Sequence, residues 1–165
     1  MFIGVGIDDE HYTQLDYCFK TSLTDILNVM KQIANEALTD CYIELTFSNK
    51  NAGRALRGDA ISMISEHKFY VFEIFEISNF SKHILVSWHA YDGVDFSVKE
   101  FDDIDEARKM LKDTYENGYL QYKEDTSDDC NELELDSSVL DTGYEWLMQE
   151  IVDNKQYKED DNGKV

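Results

Sequence analysis

The stretch of sequence that decides the fold is residues 82–98, KHILVSWHAYDGVDFSV. Residues 82–91 are rich in strand-forming side chains, and apolar and polar residues alternate after the dipeptide Asp92-Gly93. An Asp-Gly pair between two such runs favours a tight hairpin turn. The stretch therefore predicts two antiparallel strands, 82–91 and 94–101, joined by a two-residue turn.

Three further stretches have the pattern of strands. Residues 69–77, FYVFEIFEI, are apolar on both faces, which is typical of a central strand. We expect this run to form an antiparallel meander with strands 82–91 and 94–101. Residues 1–7 form a short apolar run, and residues 41–47 alternate like a half-buried strand.

Apolar residues at helical spacing predict helices in two places. Thr21 or Ser22 can cap a helix over 22–38, which has one apolar stripe. Asp102 or Asp103 can cap a second helix. The inner face of this second helix is marked by Ile104, Ala107, Leu111, Thr114 or Tyr115, and Gly118.

A third helix is predicted near the end of the chain, with Ser137 or Ser138 as its cap. Its apolar face would contain Leu140, Tyr144, Leu147, Met148 and Ile151. A short helix at 60–66 is a further alternative for an irregular stretch. Strands mixed with helices predict an α+β fold, an antiparallel sheet of about four to five strands packed against two to three helices. We expect one domain over 1–155 and a disordered tail over 156–165.

The charge of the chain is strongly negative and unevenly distributed. The 165 residues include 35 acidic and 15 basic side chains, a net charge of −20, and residues 100–165 alone have a net charge of −14. Such a charge repels DNA, RNA and anionic membranes, so the expected partner is a basic protein. The excess matches the phosphate charge of about ten base pairs of DNA. A solvated surface that keeps the protein soluble is the alternative interpretation.

Aromatic side chains lie among the C-terminal acids. Tyrosine and tryptophan are favoured anchors at protein interfaces, and neighbouring carboxylates supply attraction and register. The residues predicted to bind the partner are Asp113, Glu116, Tyr119, Tyr122, Glu124, Asp125, Asp128, Asp129, Glu132, Glu134 and Trp146.

Candidate catalytic groups are few. His83 and His89 would share one face of a strand, about 20 Å apart at ~3.3 Å per residue, too far for one metal ion. His89 could form an acid–base pair with Asp92, although a hydrogen-bonded surface histidine is the simpler interpretation. No catalytic motif is present in the sequence, and we predict no catalytic residue, no metal ligand and no cofactor.

Glu73 and Glu76 interrupt the apolar run 69–77. Their odd spacing places them on opposite faces of a strand, so they cannot act as a paired acid and base. A glutamate buried there would need a cationic partner such as Arg54 or Arg57.

The cysteines and the hydropathy of the chain indicate the cellular compartment in which the protein works. The three cysteines are widely spaced and form no CxxC pair, and the N-terminal residues lack the basic stretch of a secretory signal. No apolar run approaches the ~20 residues that span a bilayer. These features predict a cytoplasmic protein with unpaired thiols.

In size, acidity and lack of a catalytic motif, the chain resembles small inhibitor proteins of phages and mobile elements. These include anti-CRISPR and antirestriction proteins, some of which imitate nucleic acid. The resemblance is one of composition, and it assigns no role to any particular residue. It implies an inhibitor that blocks a nuclease or a CRISPR effector by occlusion or nucleic-acid mimicry. The alternatives are an immunity protein against a nuclease toxin, and an enzyme or metal-binding domain with an unrecognised site.

Overall fold

A computed structural model describes residues 1–48, 55–64, 68–78, 80–90, 93–123, 131–143 and 145–154, without the side chains of Phe47, Ser48 and Tyr122. Its contacts divide the chain into a first unit, Met1–Asn79, and a second unit, Phe80–Val165. The described residues of each unit form one five-stranded antiparallel sheet and one helix. The predicted α+β class is confirmed, with two sheets where one was expected. The single domain over 1–155 stays a prediction, and the tail 156–165 lies outside the described residues.

The first unit is an antiparallel sheet with a helix on one face. Its elements are β1 Phe2–Asp8, β2 Asp16–Lys20, α1 Leu23–Ala37, β3 Cys41–Ser48, β4 Ala55–Ser62 and β5 Phe69–Glu76. The strand order is β2-β1-β5-β4-β3. The strands predicted at 1–7, 41–47 and 69–77 are confirmed. The short helix predicted at 60–66 is wrong for 60–62, because these residues pair with β5 as part of β4, and residues 65–66 lie outside the described part.

Helix α1 begins and packs as the sequence predicts. The Ser22 hydroxyl accepts a hydrogen bond from the backbone N–H of Asp25 at 3.3 Å, which satisfies a donor of the first turn. The apolar stripe of α1 buries Ile26, Met30 and Ala34 against the sheet. The helix lies close to β1, since a Cβ at Gly4 would come within 2.7 Å of the Met30 sulfur. These contacts form the core of the first unit on this face.

A charged pair interrupts the apolar strand β5. The side chain of Glu73 is 1 % exposed and lies 3.2 Å from Nη1 of Arg57, its register partner on β4. Arg57 also donates to Asp59 at 3.1 Å. Glu76 is exposed, so the opposite orientation of the two glutamates and the role of Arg57 are confirmed. The pair meets the requirement that a buried carboxylate has a cationic partner.

The second unit contains β6 His83–Ala90, β7 Val94–Phe101, α2 Ile104–Tyr122, β8 Glu132–Leu133, β9 Ser137–Asp141 and β10 Trp146–Asp153. The strand order is β7-β6-β10-β9-β8. The hairpin of β6 and β7 is confirmed down to the pair Ala90–Val94. Gly93 has a φ of 133°, which favours glycine, and Asp92 of the predicted turn lies outside the described residues.

Two predictions for these segments are wrong. The last helix, predicted from Ser137 or Ser138 to Ile151, is the strand pair β9 and β10, which form a hairpin. The meander of three strands does not form, because β5 pairs with β1 and β4 in the first sheet, whereas β6 pairs with β7 and β10 in the second. Pairing partners far along the chain therefore decide both segments.

Helix α2 lies on one face of the second sheet. The Asp103 carboxylate accepts a hydrogen bond from the backbone N–H of Asp105 at 2.8 Å and caps the helix, as predicted. Arg108 donates two hydrogen bonds to Asp136, just before β9, at 2.6 and 3.2 Å. This hydrogen-bonded carboxylate raises the pKa of Arg108. In the described part of the chain, neither helix combines the length and apolarity required to cross a membrane.

Candidate functional site

A groove with a volume of about 350 Å³ lies within the second unit, between the C-terminal half of α2 and the sheet. This volume is near the lower end of the range for small-ligand sites. The groove is lined by His89, Thr114, Asn117, Gly118, Gln121, Leu140, Thr142, Glu145 and Leu147. We refer to it as the α2 groove.

The floor of the α2 groove is a row of register partners across three strands. Leu140 on β9 pairs with Leu147 on β10, and Leu147 pairs with His89 on β6. Directly paired residues of an antiparallel sheet point to the same face, so the three side chains lie side by side. The row therefore changes from aliphatic at β9 to an imidazole at β6.

One wall of the groove comes from a single face of α2. Thr114, Asn117, Gly118 and Gln121 follow the i, i+3, i+4, i+7 spacing of one helical face. A Cβ at Gly118 would come within 2.7 Å of Cδ2 of Leu140, so the glycine allows the helix to approach the sheet. Within the described part of the chain, the side-chain amides of Asn117 and Gln121 have no hydrogen-bond partner. Both amides are therefore available to a ligand.

The opposite wall is set by the turn between β9 and β10. The Thr142 hydroxyl accepts a hydrogen bond from the backbone N–H of Glu145 at 2.9 Å and lies 3.0 Å from its carbonyl oxygen. Gly143 has a φ of 77°, and its N–H donates to Asp141 at 2.7 Å. These bonds fix the backbone of Glu145. Its Oε1 lies 2.7 Å from Nδ1 of His89.

The sequence offers Asp92 as a candidate partner of His89 and does not indicate Glu145. Asp92 lies outside the described residues, and Glu145 belongs to a strand connection 56 residues away from His89 along the chain. Only the pairing of β6 with β10 brings the two side chains together. No local spacing in the sequence indicates this contact.

A second row beside the floor is polar and internally satisfied. Ser138 donates to Oε1 of Gln149 at 3.1 Å, and Nε2 of Gln149 donates to Ser87 at 3.2 Å. Ser138 and Gln149 are 3 % and 2 % exposed. Because buried polar groups are stable when they are hydrogen-bonded to one another, this row has a structural role.

The residues predicted to bind a partner are only partly brought together. Asp113 and Glu116 are exposed on the outer side of α2, where Glu116 lies 3.6 Å from the amine of Lys112. Tyr119 is half-buried and stacks on Tyr115, with ring centroids 6.2 Å apart. Burial, and to a lesser extent the neighbouring Tyr119, raise the pKa of Tyr115. Asp113, Glu116 and Tyr119 therefore share one helix.

Glu132, Glu134 and Trp146 lie elsewhere in the same unit. Glu132 and Glu134 are exposed within or beside β8. Strand register places Glu132 and the half-buried Trp146 on the sheet face opposite to α2. These residues therefore do not share a surface with Asp113 and Glu116, and their role in binding a partner stays a prediction. The remaining predicted residues, Glu124, Asp125, Asp128, Asp129 and the side chain of Tyr122, lie outside the described part.

Comparisons with known proteins do not assign a family to the chain. No family model, curated protein or solved structure matches the chain. Among the residues that the structure describes, no three His, Cys, Asp or Glu side chains are grouped closely enough to hold a metal ion.

Proposed function

We propose that this protein is an acidic inhibitor that binds a basic nucleic-acid-handling protein, such as a nuclease or a CRISPR effector, and blocks it by occlusion. The observation that carries the proposal is the surface of the second unit. Its described residues include eleven exposed acidic side chains and five exposed lysines. A groove that binds nucleic acid has the opposite charge, so the two surfaces attract each other over distances of about a Debye length, ~10 Å at 0.1 M salt.

We favour occlusion over nucleic-acid mimicry, because mimicry would require a phosphate-like row of carboxylates on α2. The outer side of this helix presents Asp113 and Glu116 together with Lys109 and Lys112, so its charges are mixed. A mixed face does not reproduce the uniform negative charge of a nucleic-acid strand. The electrostatic field of the second unit then accelerates its encounter with the partner, and the shape of the bound protein keeps the nucleic-acid substrate out.

We place this activity in the cytoplasm. Cys18 and Cys41 are free thiols, which is usual in a reducing compartment. CRISPR effectors and restriction nucleases meet foreign DNA in the same compartment.

The proposal is tested by cleavage assays with a panel of basic nucleases. The panel contains a CRISPR effector, a restriction endonuclease and a secreted nuclease toxin, each assayed with and without the protein. We expect inhibition of at least one enzyme at about 50 mM NaCl, and an inhibition constant at least tenfold weaker at about 300 mM, because salt screens exposed charges. Inhibition confined to the toxin would favour the immunity-protein alternative. Cleavage that is unaffected throughout the panel at low salt would refute the proposal.

Two matched triple variants test whether the second unit supplies the binding surface. The first replaces Asp113→Asn, Glu132→Gln and Glu134→Gln in the second unit. The control replaces three exposed glutamates of the first unit, Glu36→Gln, Glu44→Gln and Glu76→Gln. Both variants change the net charge by the same amount. We expect the first to lose about tenfold in affinity, mainly through slower association, and the control to lose about twofold. Equal losses would show that binding depends on the net charge of the protein and not on the surface of the second unit.

A further inference from the structure

The α2 groove is a site whose occupant follows from its chemistry. Its floor is aliphatic at Leu140 and Leu147, one wall bears two unpartnered amides, and the other wall bears the carboxylate of Glu145. An apolar floor with a few convergent polar groups is the usual composition of a ligand site. The groove therefore suits a ligand with an aliphatic portion and a cationic, hydrogen-bonding head.

We propose that the α2 groove receives an arginine side chain of the basic partner. This inference rests on the proposed function, because it assigns the place where the partner is anchored. An arginine has three methylene groups that can cover the half-buried Leu147 beside the buried Leu140, and a planar head with five N–H donors.

Glu145 is the anion that the guanidinium pairs with. Its Oε1 contacts Nδ1 of His89, but a carboxylate has about four lone-pair positions on two oxygens and so keeps acceptor capacity. The turn that contains Thr142 fixes the backbone of Glu145 before any ligand arrives. Binding therefore costs little ordering of this residue.

Asn117 and Gln121 supply the remaining acceptors. Both lie on the groove face of α2, one helical turn apart, and each amide can turn its oxygen toward a donor. A guanidinium presents its donors in a fixed fork, so several fixed acceptors discriminate arginine from lysine. The exposed acids of the second unit add a field that attracts any cation.

The site is tested by NMR on the full-length protein labelled with ¹⁵N, titrated with blocked arginine, N-acetyl-arginine N-methylamide. The same titration with the blocked citrulline analogue, which has nearly the same shape without the charge, and with blocked lysine measures selectivity. We expect blocked arginine to shift the amide signals of groove residues to saturation. Citrulline should bind at least about tenfold more weakly, and lysine about threefold more weakly.

Matched variants show whether the groove is responsible. Glu145→Gln should weaken arginine binding about fivefold, as expected for a half-exposed ion pair. Glu106→Gln removes the same charge from an exposed position in the first turn of α2, outside the groove, and should change affinity by less than about twofold. Asn117→Ala combined with Gln121→Ala is a second test, because alanine at exposed helix positions preserves the helix. Thermal unfolding of each variant checks that the fold is retained.

The inference is overturned if citrulline binds as well as arginine, if the shifts fail to saturate at the groove, or if Glu145→Gln and Glu106→Gln have equal effects. Nuclease inhibition without arginine binding would reject the groove as the anchor and keep the proposed function. Arginine binding without inhibition of any nuclease would keep the site and reject the proposed function.

Discussion

Phe72 shows how single residues shape the first unit. Its register partners on the two neighbouring strands are Gly6 on β1 and Gly58 on β4. A Cβ at Gly58 would overlap the Phe72 ring, so the ring occupies the space above the glycine. The sequence indicates that 69–77 is a buried strand, but it does not indicate that the Phe72 ring lies over Gly58, because that contact depends on strand register.

Gly58→Ala should destabilise the protein by about 1–3 kcal/mol, the usual cost of overpacking a core. The change is measured as the free energy of unfolding in urea. In a Phe72→Leu background the same substitution should cost less, because the smaller side chain leaves room for the new methyl group. An equal cost in both backgrounds would show that the ring contact is not responsible.

The ion pairs of His83 and His89 show which contacts the sequence does not predict. His83 and His89 were correctly expected on one face of β6, because alternation along a strand is local. Their partners, Asp153 and Glu145, lie on or next to β10, so they depend on a long-range pairing. Local periodicity therefore predicts orientation, and only the fold supplies the contacts of the α2 groove.

At the scale of elements, strand β10 was mistaken for a helix for a physical reason. Leu147 and Ile151, like Tyr144 and Met148, are four residues apart, a spacing that fits one face of a helix and also one face of a strand. Strand β10 has half-buried or buried residues on both faces, which removes the alternation that marks a strand. Helices α1 and α2 have polar outer faces and capping residues, so their sequences predicted them correctly.

Strand β10 also contains Glu150, whose partly buried position disfavours the charged form of its carboxylate. Burial raises the pKa of Glu150 above its ordinary value. The folded state then binds the proton more tightly than the unfolded state, so stability decreases as the pH rises from the unfolded pKa through the folded pKa. The penalty is absent at more acidic pH, where the group is neutral in both states.

Glu150→Gln should therefore raise the free energy of unfolding at pH 7 and have little effect near pH 3.5. The measurement is the difference between variant and parent in urea unfolding at each pH. Glu76→Gln, at an exposed position on β5, is the charge-matched control and should show no such pH-dependent gain. A Glu150→Gln variant that is less stable than the parent at pH 7 would contradict the assigned penalty.

At the scale of the whole molecule, the net charge of −20 opposes compaction. Like charges on one small protein repel each other, and this repulsion is partly relieved when the chain expands. Composition alone predicts the effect, whereas the distribution of the acids over both faces of the second unit requires the structure.

Added salt should therefore raise the unfolding temperature. An increase from about 10 mM to about 300 mM NaCl shortens the Debye length from ~30 Å to below ~10 Å and weakens the repulsion. We expect a rise of about 2–4 °C, which corresponds to roughly 1 kcal/mol for a protein of this size. Choline chloride at equal ionic strength should give the same rise, and a constant or lower unfolding temperature in both salts would disprove the repulsion.

Strand β8 ends the second sheet with only two residues, Glu132 and Leu133. A long, flat edge strand is a template on which other chains add strands and aggregate, and short or charged edges prevent this. Glu132 and the neighbouring Glu134 are exposed at this edge, so two molecules that met there would bring like charges together. The β8 edge of the second sheet is thus protected against the edge-to-edge association that leads to fibrils.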